Sequence, residues 1–373
     1  MLTPRSTRWL SGLLAALVLV GCRCDAPQRP VSEATSVDAA KDAPRRREPE
    51  AVRGLPAAQA RPEGFRRGVS LGLFVSERDP RARRFYYEQL LDEIREVGAT
   101  DVSLVVRWSQ RDVQATAIAP LEGVTSGDDV LTEVIALARA RGLRVFLMPI
   151  LHLGSRRRGQ WRGTLKPVDE VAWWASYEAF ILHYARIAAA QEVELFAVGS
   201  ELVSMERQAE RWEALIREVR GVYGGELTYS ANWDHFEPVP FWDHLDVVGV
   251  TAYHELSQEP DPDEQALVAG WRPFERRLKR WAAAQDRRYI FTEVGFPSHS
   301  QGAARPWDYT PRGEPDAALQ LRCYRSMFRV WNADPRLTGV FIWNWFGVGG
   351  ASDRGYTPRG KPAEQVIRRW YGR

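Results

Sequence analysis

Leu195-Phe196-Ala197-Val198-Gly199-Ser200-Glu201 is the stretch whose reading decides the fold. Its apolar run fits a parallel strand buried on both faces, and it stops abruptly at Gly199, Ser200 and Glu201 before a charged, amphipathic segment. A carboxylate therefore stands where a buried strand leaves the core. In α/β barrels functional groups project from that edge, so Glu201 is either catalytic or the start of the next helix, where the macrodipole favours an acid.

A second stretch has the same design. Tyr289 to Pro297 reads Y-I-F-T-E-V-G-F-P, another buried strand, which carries Glu293 at its end. At about 30 residues per βα unit, the spacing of 92 residues is three units, which puts the acids on strands four and seven if the first is strand four. Two carboxylates facing each other across a cleft suit glycoside hydrolysis, in which one acts as an acid while the other attacks carbon.

The rest of the chain from Phe65 alternates strand-like and helix-like stretches. Strands are expected at Val69–Val75, Val102–Trp108, Arg144–Ile150, Glu226–Ala231, Leu245–Tyr253 and Leu337–Trp345, in addition to the two already quoted. Helices are expected at Arg83–Val97 and Asp128–Arg141, each closed by a glycine, and at 169–191, 207–222, 263–285, 316–331 and 362–371. Eight such strands over residues 65–373 predict an α/β fold, a single (β/α)8 TIM barrel. An open doubly wound sheet is the alternative, and no glycine-rich phosphate loop follows the first strand to support it.

The chain has 373 residues and a net charge of +3, with 45% apolar residues. That is enough for a large core, and so small a cationic excess does not suggest nucleic acid as a partner. The six His are scattered, and neither H-E-x-x-H nor C-x-x-C occurs, so no metal and no cofactor is expected. Ser200 fails as a nucleophile-elbow serine because Val198 stands where G-x-S-x-G needs glycine.

At the N-terminus Arg5 and Arg8 precede an apolar run from Trp9 that ends in Leu19-Val20-Gly21-Cys22. The run is too short for a membrane span, which needs roughly 20 residues, and residues 1–21 read as a signal peptide. Its last four residues resemble the lipobox of bacterial lipoproteins, which implies lipidation of Cys22, a membrane partner through that anchor, and, with Arg23 next, export to the outer membrane. An ordinary secretory signal is the alternative. Residues 22–64, rich in Pro, Ala, Arg, Glu and Asp, read as a flexible tether. Export permits a disulfide between Cys24 and Cys323, though Cys323 also reads as a small buried residue in a helix.

In a barrel, the strand ends collect Arg107 and Trp108, Trp161 in the third loop, Glu201, Asn232 and Trp233, Tyr253, Glu293, and Trp343 with Trp345. Aromatic plates with polar neighbours complement sugar rings, which have apolar faces and polar rims. Trp173, Trp174, Trp212, Trp271, Trp281, Trp331 and Trp370 fall on helices and are expected to be packing residues.

Several motifs then occur in a telling order: F-A-V-G-S-E, W-E-A-L-I-R-E-V-R, L-T-Y-S-A-N-W, F-W-D-H-L-D-V-V-G-V-T-A-Y, F-T-E-V-G-F, F-I-W-N-W and G-Y-T-P-R-G-K-P-A-E. From Phe65 to the C-terminus the chain resembles the retaining glycoside hydrolases of clan A, and most of all family 113, the β-mannanases. The resemblance implies that Glu201 is the general acid/base and Glu293 the nucleophile. It also implies that Tyr253 hydrogen-bonds the nucleophile, that Trp343 floors the subsite of the attacked sugar, and that Arg107 neutralises the nucleophile. A retaining pair stands about 5 to 5.5 Å apart; Arg107 and Tyr253 would keep Glu293 ionised while Glu201 holds the proton. The sequence departs from the clan pattern at Ser200, where Asn is usual, at Thr251, where the mannanases suggest Asp, and at the apolar M-P-I of strand three. These departures bear on which sugar is bound.

The expectation is a monomeric glycosidase acting on a β-linked polysaccharide or oligosaccharide, β-mannan or a related glycan. Two alternatives stay open: a non-catalytic glycan-binding lipoprotein with the same groove, and a hydrolase of the cell's own envelope polymer.

Overall fold

Eight parallel strands close on themselves. They are β1 (Arg66–Gly72), β2 (Asp101–Gln110), β3 (Arg144–Leu153), β4 (Leu195–Ser200), β5 (Glu226–Asn232), β6 (Val248–Thr251), β7 (Tyr289–Val294) and β8 (Leu337–Ile342). Each pairs in parallel with the next, and β8 returns to β1 through Arg66–Val69 against Gly339–Ile342. The computed structural model describes residues 49–57, 59, 61–74, 79–310 and 313–372. The expected signal peptide, Cys22 and Cys24 lie outside the described residues; Cys323 is buried as a free thiol.

Helices α1 (Pro80–Glu96), α2 (Asp128–Ala140), α3 (Glu170–Ala190), α4 (Ala209–Val222), α5 (Glu264–Ala284), α6 (Ala317–Trp331) and α7 (Pro362–Trp370) connect or follow the strands. Asp79, Asp169, Asp263 and Asp316 cap four of them, each accepting a backbone N–H two or three residues on. Between β5 and β6 there is only a one-turn helix, Trp242–His244. That turn is why β6 is shorter than the apolar run predicts: Asp246 and Val247 both donate to the Leu227 carbonyl, a crossing rather than a ladder.

The barrel interior is filled by Val105, Phe146, Met148, Leu195, Ala197, Ile290 and Phe341, while the larger core lies between strands and helices. Trp173, Trp174, Trp212, Trp271 and Trp331 are fully buried there, as expected of packing residues. At the N-terminal mouth the buried Asp101 carboxylate accepts from Arg66 at 3.1 Å and Arg144 at 2.7 Å, tying β1, β2 and β3 together at the end away from the chemistry.

The expected tether needs correction at its C-terminal end. Residues 49–57 lie on the barrel, with Ala51, Val52 and Leu55 buried. Arg325 of α6 donates to the carbonyls of Ala51 and Arg53, and Arg329 to that of Gly54. The Arg61 guanidinium donates to the main-chain and side-chain oxygens of Asn332 and lies over the rings of Phe65 and Trp370. A charged composition concealed two apolar anchors and a backbone whose carbonyls two helix arginines satisfy.

Candidate active site

The C-terminal rims of β4 and β7 are built to aim two carboxylates. The β4–β5 ladder shifts register between Ala197 and Ser200, and the β6–β7 ladder between Val250 and Thr251, so both strands twist as they end. Glu201 follows with a left-handed backbone, φ +57°, which a residue with a Cβ adopts at a cost of about 1–3 kcal/mol and only where its surroundings fix it. They do. Its own N–H donates to the Ser230 carbonyl at 2.9 Å, and the next N–H, of Leu202, donates to the Tyr229 hydroxyl at 2.8 Å. Tyr229 in turn donates to the buried Glu206 at 2.7 Å, and Tyr177 holds the Val198 carbonyl at 2.8 Å. Gly199 is required between them, since a Cβ there would come 2.5 Å from the Tyr177 hydroxyl.

The two carboxylates differ in their surroundings. Glu201 accepts from Arg162 Nη2 at 2.7 Å and from the Thr251 hydroxyl at 2.9 Å. Glu293 is 4% exposed and accepts from the Tyr253 hydroxyl at 2.9 Å. Thr251 links the pair: its side chain reaches Glu201, and its partner across the β6–β7 ladder is Glu293 itself, on a strand about 4.8 Å away. Burial, and then the facing Glu201, push the Glu293 carboxyl up to about 8, against the pull of Arg162 and Tyr253. Burial disfavours the Arg162 cation, but both glutamates outweigh it, and its pKa lies above the ordinary value.

The expected strand-end residues divide by the pleat. Arg107, Trp161, Asn232, Trp233, Tyr253 and Trp343 line a cleft of about 930 Å³ that contains both acids. Trp108 does not. It follows Arg107 on β2, so its side chain takes the opposite face and packs against Phe180, His183 and Tyr184 of α3. Trp345 is also absent from the cleft: it is 1% exposed and its indole N–H donates to Glu93 of α1. β8 ends at Ile342, so the alternation that aims Trp343 inward does not carry on to Trp345. Arg107 lines the cleft without reaching Glu293: its guanidinium stacks 4.2 Å over Phe74 and donates from Nε to the Val124 carbonyl. The charge expected of Arg107 is supplied instead by Arg162.

A search by family profile and by structure gives this geometry its relatives. The profile of Glycoside Hydrolase Family 113 matches residues 81–360. The chain belongs to that family. The GH113 β-mannanase AaManA of Alicyclobacillus acidocaldarius, solved in complex with ManMIm, is 30% identical, with 83% of this chain and 97% of that one covered and a TM-score of 0.73. Two further structures described as GH113 β-1,4-mannanase are 27% and 26% identical, each covering 83% of this chain and 99% of its own, with TM-scores of 0.74 and 0.73. No curated protein matches.

Within this family 113 barrel, three functional positions escaped the sequence reading. Arg162 sits in the loop after β3, next to Trp161, where no periodicity marks it. Thr251, a departure from the clan pattern, is the residue that holds Glu201. Tyr356 lines the cleft from the G-Y-T-P segment, edge-on to Tyr253 with ring centroids 6.1 Å apart, and is fixed by donation to the Pro306 carbonyl. Ser200, which replaces the usual Asn, is buried, and its hydroxyl has no partner among the described residues. Asn232 does line the cleft, and its Oδ1 likewise has no partner there. Across the mouth, Arg156 after β3 donates to the hydroxyl of Tyr309 after β7. These strands are opposite in an eight-stranded barrel, so the contact crosses the cleft.

Proposed function

We propose that this glycosidase cleaves the β-1,4 linkages of β-mannan or a closely related β-glycan by double displacement, with Glu293 as nucleophile and Glu201 as general acid/base. The observation that carries the reading is the pair itself, Glu201 after β4 and Glu293 on β7 converging in one cleft near enough for Glu201 to raise the Glu293 carboxyl, because binding alone needs no such juxtaposition of acids. The three structures of 26–30% identity are β-mannanases, which supports the substrate.

The chemistry runs as follows. Glu293 attacks the anomeric carbon while Glu201 gives its proton to the departing oxygen, leaving a glycosyl ester on Glu293. Glu201, now a carboxylate, takes a proton from water as that water attacks the same carbon and Glu293 leaves. Burial and the facing Glu201 raise the Glu293 carboxyl, whereas Arg162 and the Tyr253 hydroxyl favour its ionised form, the form that attacks. Arg162 and the Thr251 hydroxyl hold Glu201 in place.

Turnover of β-mannan, glucan and xylan by the full chain tests the activity, with Glu293→Ala expected to abolish it. Azide tests the roles. Glu293→Ala should yield a glycosyl azide of inverted configuration, whereas Glu201→Ala should yield the retained one. The reverse pairing would exchange the two assignments.

A lipid-anchored, monomeric enzyme in the bacterial cell envelope, held through Cys22 at the outer membrane, completes the proposal. It is supported by the lipobox-like Leu19–Cys22 and by Arg23. Labelling of the wild-type protein but not of Cys22→Ala by a fatty-acid probe is the expected result; equal labelling would refute the anchor.

A further inference from the structure

The cleft is not electrically neutral along its length. On the β2–β3 side three arginines converge: Arg107 from the end of β2, Arg156 and Arg162 from the loop after β3. Among the described residues only Arg162 of the three has a carboxylate partner, Glu201. Arg156 is engaged by the neutral ring and hydroxyl of Tyr309. Arg107 uses Nε on a backbone carbonyl, and its two terminal amino groups have no acceptor among the described residues. Burial lowers its pKa, and no acid among the described residues opposes the shift. His152, whose Nδ1 lies 3.2 Å from the Ser109 hydroxyl, feels the same field: burial and then Arg107, Arg156 and Arg162 hold it below its usual range. Asp234 and Asp308 lie on the other side, after β5 and β7.

A half-buried guanidinium with unused donors is costly, and the cost is relieved by an anion that fits its planar fork. The plate beneath it is braced, since Phe74 meets Phe346 edge-on at 5.7 Å. A guanidinium held flat on an aromatic ring, with its terminal donors open to a polysaccharide cleft, suits one ligand there: a sugar that carries a carboxylate.

We propose that Arg107, with Phe74 beneath it and Arg156 in the same cleft, forms a subsite for a hexuronate unit, so that among related β-glycans those carrying a hexuronate are preferred. This rests on the glycosidase reading above and narrows its substrate class. The carboxylate binds the terminal amino groups of Arg107, whose guanidinium is held flat by the Phe74 ring beneath it.

The test uses the full-length enzyme and one pair of substrates, a β-linked oligosaccharide containing a hexuronate and the same oligosaccharide with that carboxyl reduced to the alcohol. The acidic form should show a kcat/KM roughly tenfold or more higher, carried mainly by KM, and the advantage should shrink as salt is raised. Arg107→Gln should bring the ratio of the two substrates close to one, and Arg107→Lys should keep part of it. Because the ratio is taken on one protein preparation, loss of folded enzyme cancels. Equal turnover of the pair by the wild type, or a preference for the neutral form, overturns the subsite while leaving the glycosidase intact. If neither is cleaved and β-mannan, glucan and xylan are left intact as well, the glycosidase reading falls. Calorimetric titration of both oligosaccharides then decides the subsite alone, with tighter binding of the acidic one expected and equal affinities refuting it.

Discussion

Arg162 Nη2 stands 2.7 Å from Glu201 Oε2, and its charge is felt by Glu293 as well, so one loop arginine serves both acids of the cleft. It comes from neither strand that carries an acid. The electrostatic balance of the pair is therefore set by the loop after β3.

Removing that cation should do two things. Arg162→Gln is expected to lower kcat/KM by roughly 10²-fold or more, the usual scale for losing a charged donor aimed at a reacting group. With less positive charge nearby, ionisation becomes harder, so the acidic limb of the pH–rate profile should move to higher pH. A profile that only drops in height, without moving, would reduce Arg162 to a packing role.

Glu293 is expected to destabilise the fold at alkaline pH. Its carboxyl is raised to about 8 in the native state, so between the unfolded value near 4.5 and about 8 the unfolded chain releases a proton that the native chain keeps. Stability from this group is thus intact below that window and is lost as pH rises through it. Glu293→Gln should melt higher than the wild type by roughly 1–3 kcal/mol at pH 8, with little difference at pH 4.5. Melting curves at the two pH values check the sign.

Tyr229 should matter through Glu201 although it does not line the cleft. Tyr229→Phe removes the acceptor for Leu202 N–H and the donor to Glu206, whose carboxyl burial already pushes up to about 7. The expected stability loss is about 1–3 kcal/mol, and kcat should fall more than KM rises because the left-handed turn at Glu201 loosens. A variant that melts lower yet keeps its kcat would separate the two effects and refute the positioning role.

The two tryptophans after β8 should behave oppositely. Trp343→Ala is expected to raise KM by roughly tenfold through loss of a sugar-facing plate. Trp345→Phe should leave both kinetic constants as they are and cost about 1–2 kcal/mol of stability, since its indole N–H serves Glu93. Kinetics and melting of both variants on one substrate suffice.

The barrel and its two acids were readable because strands buried on both faces are written as unbroken apolar runs, and Glu201 and Glu293 are the points where two such runs turn polar. Side-chain direction was less readable. Arg107 and Trp108 are neighbours in a pleated strand, so one had to face α3, and only the register says which. Arg162 was hidden by its loop, where no period links residue to face. Thr251 was hidden differently: comparison with a family pattern marks what is missing, whereas the hydroxyl supplies a bond of its own. Val52 and Leu55 were masked by the charges around them.

Arg325 and Arg329 grip the carbonyls of Ala51, Arg53 and Gly54, so the boundary of the folding unit falls before Glu50 rather than at Phe65. A protease that trimmed the chain back to Phe65 would strip a covering from α6, depriving two guanidinium groups of their carbonyl partners and emptying the place filled by Leu55. Recombinant versions begun there should prove heat-sensitive for reasons unrelated to catalysis, and any proteolytic cleavage that spares the enzyme has to fall upstream of Glu50.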